Sequence, residues 1–180
     1  GAGIAAVVNV PAAGAGVNTM AIVTTGSSSA ITATSATLAG NVSDIGCSAL
    51  TAYGIEYSTT AGFPNGSGTA VASTNIAGNN FSSALSGLAT GTVYYYHAYA
   101  TNNGGTAYGA EQTFTTLTPA VSATALASFG NICLNTTAGP GSFTITGTNL
   151  STDNITVGPL AGYTFATTIG GTYTASLSLV

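Results

Sequence analysis

Short runs rich in Val, Ile, Thr, Tyr and Phe recur along this chain, each closed by Gly, Asn, Ser or Pro. Branched and aromatic residues in such runs favour extended backbone, and helix signals are nearly absent. The pattern predicts strands over Ala6–Val10, Ala36–Val42, Tyr53–Tyr57, Thr69–Ser73 and Val93–Thr101. Further along it predicts them over Glu111–Thr115, Phe143–Thr146, Asn154–Val157, Tyr163–Thr167 and Tyr173–Leu179. Turn residues interrupt at Pro64-Asn65-Gly66, Gly78-Asn79-Asn80, Asn103-Gly104-Gly105 and Gly170-Gly171. A spacing of about 8–12 residues between such elements fits antiparallel sandwiches better than a parallel α/β sheet. The expected class is all-β.

Domain limits come from breaks in this pattern. Pro119, in Leu117-Thr118-Pro119, ends the preceding strand and stiffens the link to the next domain. Gly and Ser also become dense near Gly16–Ser29. The chain then divides into a closing strand over 1–16, a linker over 17–29, one sandwich over 30–118 and a second, incomplete one over 119–180.

The middle segment resembles a fibronectin type III domain of the kind found in large bacterial surface proteins. The resemblance rests on Leu88-Ala89-Thr90-Gly91-Thr92-Val93-Tyr94, followed by Tyr95-Tyr96-His97-Ala98-Tyr99-Ala100-Thr101-Asn102. Other matching pieces are Ile31-Thr32-Ala33-Thr34-Ser35-Ala36-Thr37-Leu38, Tyr53-Gly54-Ile55-Glu56-Tyr57-Ser58 and Gly105-Thr106-Ala107-Tyr108-Gly109. It implies a corner in which Tyr94 sends its hydroxyl back to nearby backbone. Period two then puts Tyr96, Ala98 and Ala100 on the core face, and Tyr95, His97 and Tyr99 on the other. The chain has no Trp, although many members of that family bury one in an early strand.

The last segment is similar to an immunoglobulin-like repeat of bacterial adhesins, through Phe129-Gly130-Asn131-Ile132-Cys133-Leu134-Asn135-Thr136-Thr137 and Gly141-Ser142-Phe143-Thr144-Ile145-Thr146-Gly147. In that repeat the closing strand is an apolar stretch ending in Gly-x-Gly. Here Ile4-Ala5-Ala6-Val7-Val8-Asn9-Val10, running to Gly14-Ala15-Gly16, fits that role. The expected architecture is two tandem antiparallel β-sandwiches, the second completed by an N-terminal strand from a neighbouring copy. Ile4, Ala6, Val8 and Val10 are the candidate assembly residues.

Charge narrows the function. Among 180 residues there is no Lys or Arg, and the acids are Asp44, Glu56, Glu111 and Asp153. Phosphate binding rests largely on cations, so nucleic acid is excluded as a partner, and so is attraction to anionic lipid. No uninterrupted apolar run reaches the roughly 20 residues a transmembrane helix needs, so membrane insertion is not expected. A surface with so little charge also tolerates close self-packing.

Catalytic chemistry has little to work with. General acid–base and nucleophilic schemes need a base beside a nucleophile, or paired carboxylates. The single His97 lies between tyrosines on a predicted strand, and a structural or surface role is expected for it. The acids are scattered, with no oxygen cluster for calcium and no phosphate loop, so no cofactor, metal or enzyme activity is expected. Cys47 and Cys133 lack metal-site spacing and are expected to be buried free thiols; a disulfide between domains or subunits is the alternative. Tyr95 and Tyr99 are candidates for glycan contact, weighed against cross-strand packing. Of six Asn-x-Ser/Thr matches, Asn65 and Asn80 lie in turn-like stretches and are the preferred candidates for glycosylation.

The sequence thus predicts a structural subunit of an extracellular filament or adhesin stalk at the cell surface. Its partners would be copies of itself in a head-to-tail homopolymer, with surface glycans as a further candidate. Separate subunits and one period of a giant covalent repeat both satisfy the pattern. The alternative is a carbohydrate-binding or spacer module of a secreted enzyme.

Overall fold

The computed structural model describes residues 18–74, 76–134, 136–150 and 154–179. Among them every regular element is a strand. The chain divides into two compact units, Gly1–Thr116 and Leu117–Val180. The assembly residues Ile4, Ala6, Val8 and Val10 lie outside the described residues.

The first unit contains β1 (Ile22–Ser29), β2 (Ser35–Asp44), β3 (Ala52–Ser58), β4 (Thr69–Ala72) and β5 (Ile76–Ala77). It continues with β6 (Asn80–Ser86), β7 (Val93–Asn102), β8 (Gly105–Tyr108) and β9 (Gln112–Thr115). One sheet has the order β1-β2-β6-β5 and the other β4-β3-β7-β8, with β9 also on β7. β9 pairs with Val93–Tyr96 and β8 with Tyr99–Asn102, both opposite the edge that β3 takes. In the gap between them, Ala98 donates its amide to Thr25 Oγ1 of β1 at 3.0 Å and accepts from the Gly109 amide at 2.9 Å. Every pairing in the unit is antiparallel, which makes it a fibronectin type III-like β-sandwich.

Alternation fills the space between the sheets. Ala36, Leu38 and Val42 of β2 face Phe81 and Leu85 of β6 across one layer, and Ile55, Tyr94, Tyr96, Ala98, Ala100 and Phe114 line the other. Leu38, Ile55 and Tyr96 are fully enclosed, each such side chain contributing roughly 1.5–3 kcal/mol by transfer from water. Gly40 is required where it sits, because a Cβ there would lie 2.3–2.8 Å from the Phe81 ring. Tyr94 closes the expected corner: its hydroxyl accepts the Ala89 amide at 2.9 Å.

The expected linker over 17–29 needs correction. Ile22–Ser29 is β1, paired with β2, and Ala21 and Val23 are buried. Gly26 and Ser27 sit at an irregularity in the ladder between Thr25 and Ser28, where the Gly26 carbonyl accepts the Tyr96 hydroxyl at 2.9 Å. The small residues that looked like a linker serve a bulge. The chain comes in at one end of the sandwich, where Asn102 Nδ2 donates to the carbonyls of Thr19 and Ile45, both at 2.8 Å. It leaves at the other, where Thr116 Oγ1 donates to the Ala89 carbonyl at 2.7 Å. Those poles lie at opposite ends of β7, about 30 Å apart at the rise of an extended strand.

The second unit is sparser. β10 (Ala120–Ala123) pairs with β11 (Ile145–Thr148), and β12 (Ile155–Val157) with β13 (Leu177–Leu179). The strand predicted over Tyr163–Thr167 reduces to a single bridge between Phe165 and Thr174. None of the described residues of this unit is buried.

Candidate functional site

The most constrained group of polar side chains lies on the outer face of the β3/β7 sheet. Register sets Glu56 opposite His97, Gly54 opposite Tyr99 and Ser58 opposite Tyr95, so these residues share the face turned away from the core. Such a face is ordinarily solvated. Here residues 59–68, between β3 and β4, fold back across it. Phe63 stacks on the His97 ring with centroids 4.5 Å apart, and Tyr108 meets that ring edge-on at 4.9 Å. Glu56, His97 and Phe63 are only 2%, 3% and 7% exposed, so the strap makes a second, small interior.

Glu56 holds that strap from beneath. Its Oε2 accepts from His97 Nε2 at 2.8 Å and from the Gly66 amide at 2.9 Å, and its Oε1 from the Gly68 amide at 2.6 Å. An ionised carboxylate can only accept, so His97 Nε2 carries the proton in this bond. Burial pushes the Glu56 carboxyl up, but the bonds from His97, Gly66 and Gly68 outweigh it and hold the group below its ordinary 4.5. Glu111, just before β9, takes the other end, both its oxygens accepting from the Gly62 amide at 3.0 and 3.2 Å. Gly66 turns the chain with φ +81°, a left-handed value that most side chains resist. Burial raises the hydroxyls of Tyr99 and Tyr108, and the negative charge of Glu56 raises them further.

His97 therefore has a structural role, buried rather than at the surface. In sequence Glu56 and Glu111 look scattered; the fold brings both to one loop, and it singles out Phe63, which no sequence motif marks. Tyr95 and Tyr99 are both half-buried, with His97 between them on β7. Tyr99 pairs instead with Tyr108 across the strands, at 6.3 Å. Asn65 is exposed at the tip of the strap. Asn80 is exposed at the start of β6, and its Oδ1 accepts from Asn41 Nδ2 at 2.9 Å. Both cysteines are free and exposed, which corrects the expectation of buried thiols. The Thr19 hydroxyl, donating to Cys47 Sγ at 3.2 Å, lowers that thiol below its usual range.

The second unit carries a different feature, a cavity of about 720 Å³. Leu126, Phe129, Ile132, Phe143, Tyr163 and Tyr173 are among the side chains around it. Ile169, at its rim, is 77% exposed, and Leu134 elsewhere in the unit 91%. Among the described residues no cluster of His, Cys, Asp and Glu could hold a metal ion, and no helix is long and apolar enough to cross a membrane.

No protein-family model matches this chain, and no curated protein matches it. Among solved structures it is similar to the sensor domain of the anti-sigma factor RsgI4 of Pseudobacteroides cellulosolvens. That match has 22% identity over 56% of this chain and 97% of the other, with a TM-score of 0.41. A human fibronectin type III domain, derived from the KIAA0970 protein, matches at 17% identity over 67% of this chain and 85% of the other, with a TM-score of 0.36.

Proposed function

We propose that the chain is a structural subunit of an extracellular filament or adhesin stalk, built head to tail by β-strand complementation. In this reading residues 1–16 of one copy enter the 119–180 domain of the next. The observation that carries it is the cavity of the second unit, walled by aromatic and aliphatic side chains interleaved with threonines, in a domain with no buried side chain among its described residues. A sheet with unpaired edges and uncovered apolar side chains aggregates or binds unless something fills it. An added strand supplies both a backbone ladder and alternate apolar side chains. Ile4, Ala6, Val8 and Val10 have that alternation, and their small size suits a cavity already walled by aromatic rings. Thr19 and Thr116, at which the described chain enters and leaves the first unit, lie at its opposite poles, which suits a serial array. Because the contact joins unlike surfaces, repetition gives an open fibre unless the rotation closes it.

The test is assembly of the full chain against a chain lacking residues 1–16, read by electron microscopy and sedimentation. Fibres are expected from the full chain, and monomers both from the shortened chain and from Val8→Asp. Normal fibres from the shortened chain would overturn the reading.

A further inference from the structure

We propose that residues 59–68 form an acid-released strap, latched over the β3/β7 face by the Glu56 carboxylate and able to open while the sandwich stays folded. This inference stands apart from the assembly reading and needs only the first unit. Three features of the latch argue for it. The strap's inward backbone donors, Gly66 and Gly68, both end on one carboxylate, which also takes the proton of His97 Nε2. Apart from Phe63, the residues of the strap are half-buried or exposed, so little apolar burial holds the loop once those bonds go. The core of the sandwich, finally, lies on the other face of the same sheet, where Ile55, Ala98 and Tyr96 pack without any contribution from the strap.

The groups facing Glu56 are His97 and Tyr99 on β7 and Tyr108 on β8, while Glu111, ahead of β9, grips the far end of the strap at Gly62. None is a Lys or Arg, since the chain has none, so no fixed positive charge replaces the bonds that protonation removes. A carboxyl held below its ordinary value stabilises the closed strap above that value, and the stabilisation is lost as pH falls through the lowered one. The strap is thus closed at neutral pH and opens in acid. Opening uncovers the face of the His97 ring on which Phe63 stacks, beside the half-buried Tyr99 and Tyr108.

Hydrogen exchange of the full chain, read by mass spectrometry and corrected for intrinsic rates, tests this. Between about pH 7 and about pH 3, protection of residues 59–68 should fall at least about tenfold while that of 35–44 holds. Glu56→Gln should loosen 59–68 already at neutral pH. Phe63→Ser, which leaves the latch bonds in place, should move the opening to higher pH. The proposal is overturned if 59–68 keeps its protection in acid. It is equally overturned if 59–68 and 35–44 lose protection together, because Glu56 is then a support of the whole sandwich and not a latch.

Discussion

Residues 18–116 and 117–180 use the same vocabulary of Val, Ile, Thr, Tyr and Gly, yet among the described residues buried side chains occur only in the first group. In the first, β2, β3, β6 and β7 each turn alternate side chains onto one common layer, so Leu38, Ile55 and Tyr96 are enclosed. In the second, two short pairs, β10/β11 and β12/β13, leave Val121, Ile132, Leu134 and Tyr173 open to solvent. The difference is one of closure, not composition: apolar residues stabilise a fold only when a second layer covers them. A domain that supplies its own second layer stands alone, whereas one that does not leaves its apolar side chains to solvent.

Substitutions can break or sharpen this contrast. Leu38→Ala, which opens a cavity in a complete core, should cost about 4 kcal/mol in urea unfolding of the first unit. Tyr94→Phe removes only the bond from the Ala89 amide and should cost about 1 kcal/mol, read the same way. Leu134→Ser, at a side chain 91% exposed, should change the stability of the isolated monomer by less than about 0.5 kcal/mol. A large penalty there would show that the second unit has a closed core of its own, and the contrast would fail.

Much of the first unit was legible from the residues. The run from Tyr94 to Asn102 announced its own two faces because period two is local, and the resemblance carried by Leu88 to Tyr94 implied the corner. What was not legible depended on distant partners. β1 carries Gly26 and the serine run Ser27–Ser29, and only its pairing with β2 shows that these mark a bulge. β6 reads Asn-Phe-Ser-Ser-Ala-Leu-Ser, and its alternation is masked because Ser83 sits at a buried position, bonded to the Ser73 hydroxyl at 2.6 Å. His97 belongs by period two to a wet face; its burial comes from Phe63 and the rest of the strap, a loop far away along the chain. Glu56 could have been placed opposite His97 only once the β3/β7 register was known. The exposure of Cys47 and Cys133 was misread because free cysteine is usually interior.

The placement of the chain's arrival beside Asn102 and its departure beside Ala89 has a mechanical side. A pull on both ends acts along the strands, drawing β1 lengthwise past β2 and β9 lengthwise past β7. The hydrogen bonds of an antiparallel ladder stand across that direction, so they carry tension together instead of parting one after another. Loaded this way, the unit resists extension by shear, like a lap joint, and should yield only at a force that breaks the ladder as a whole.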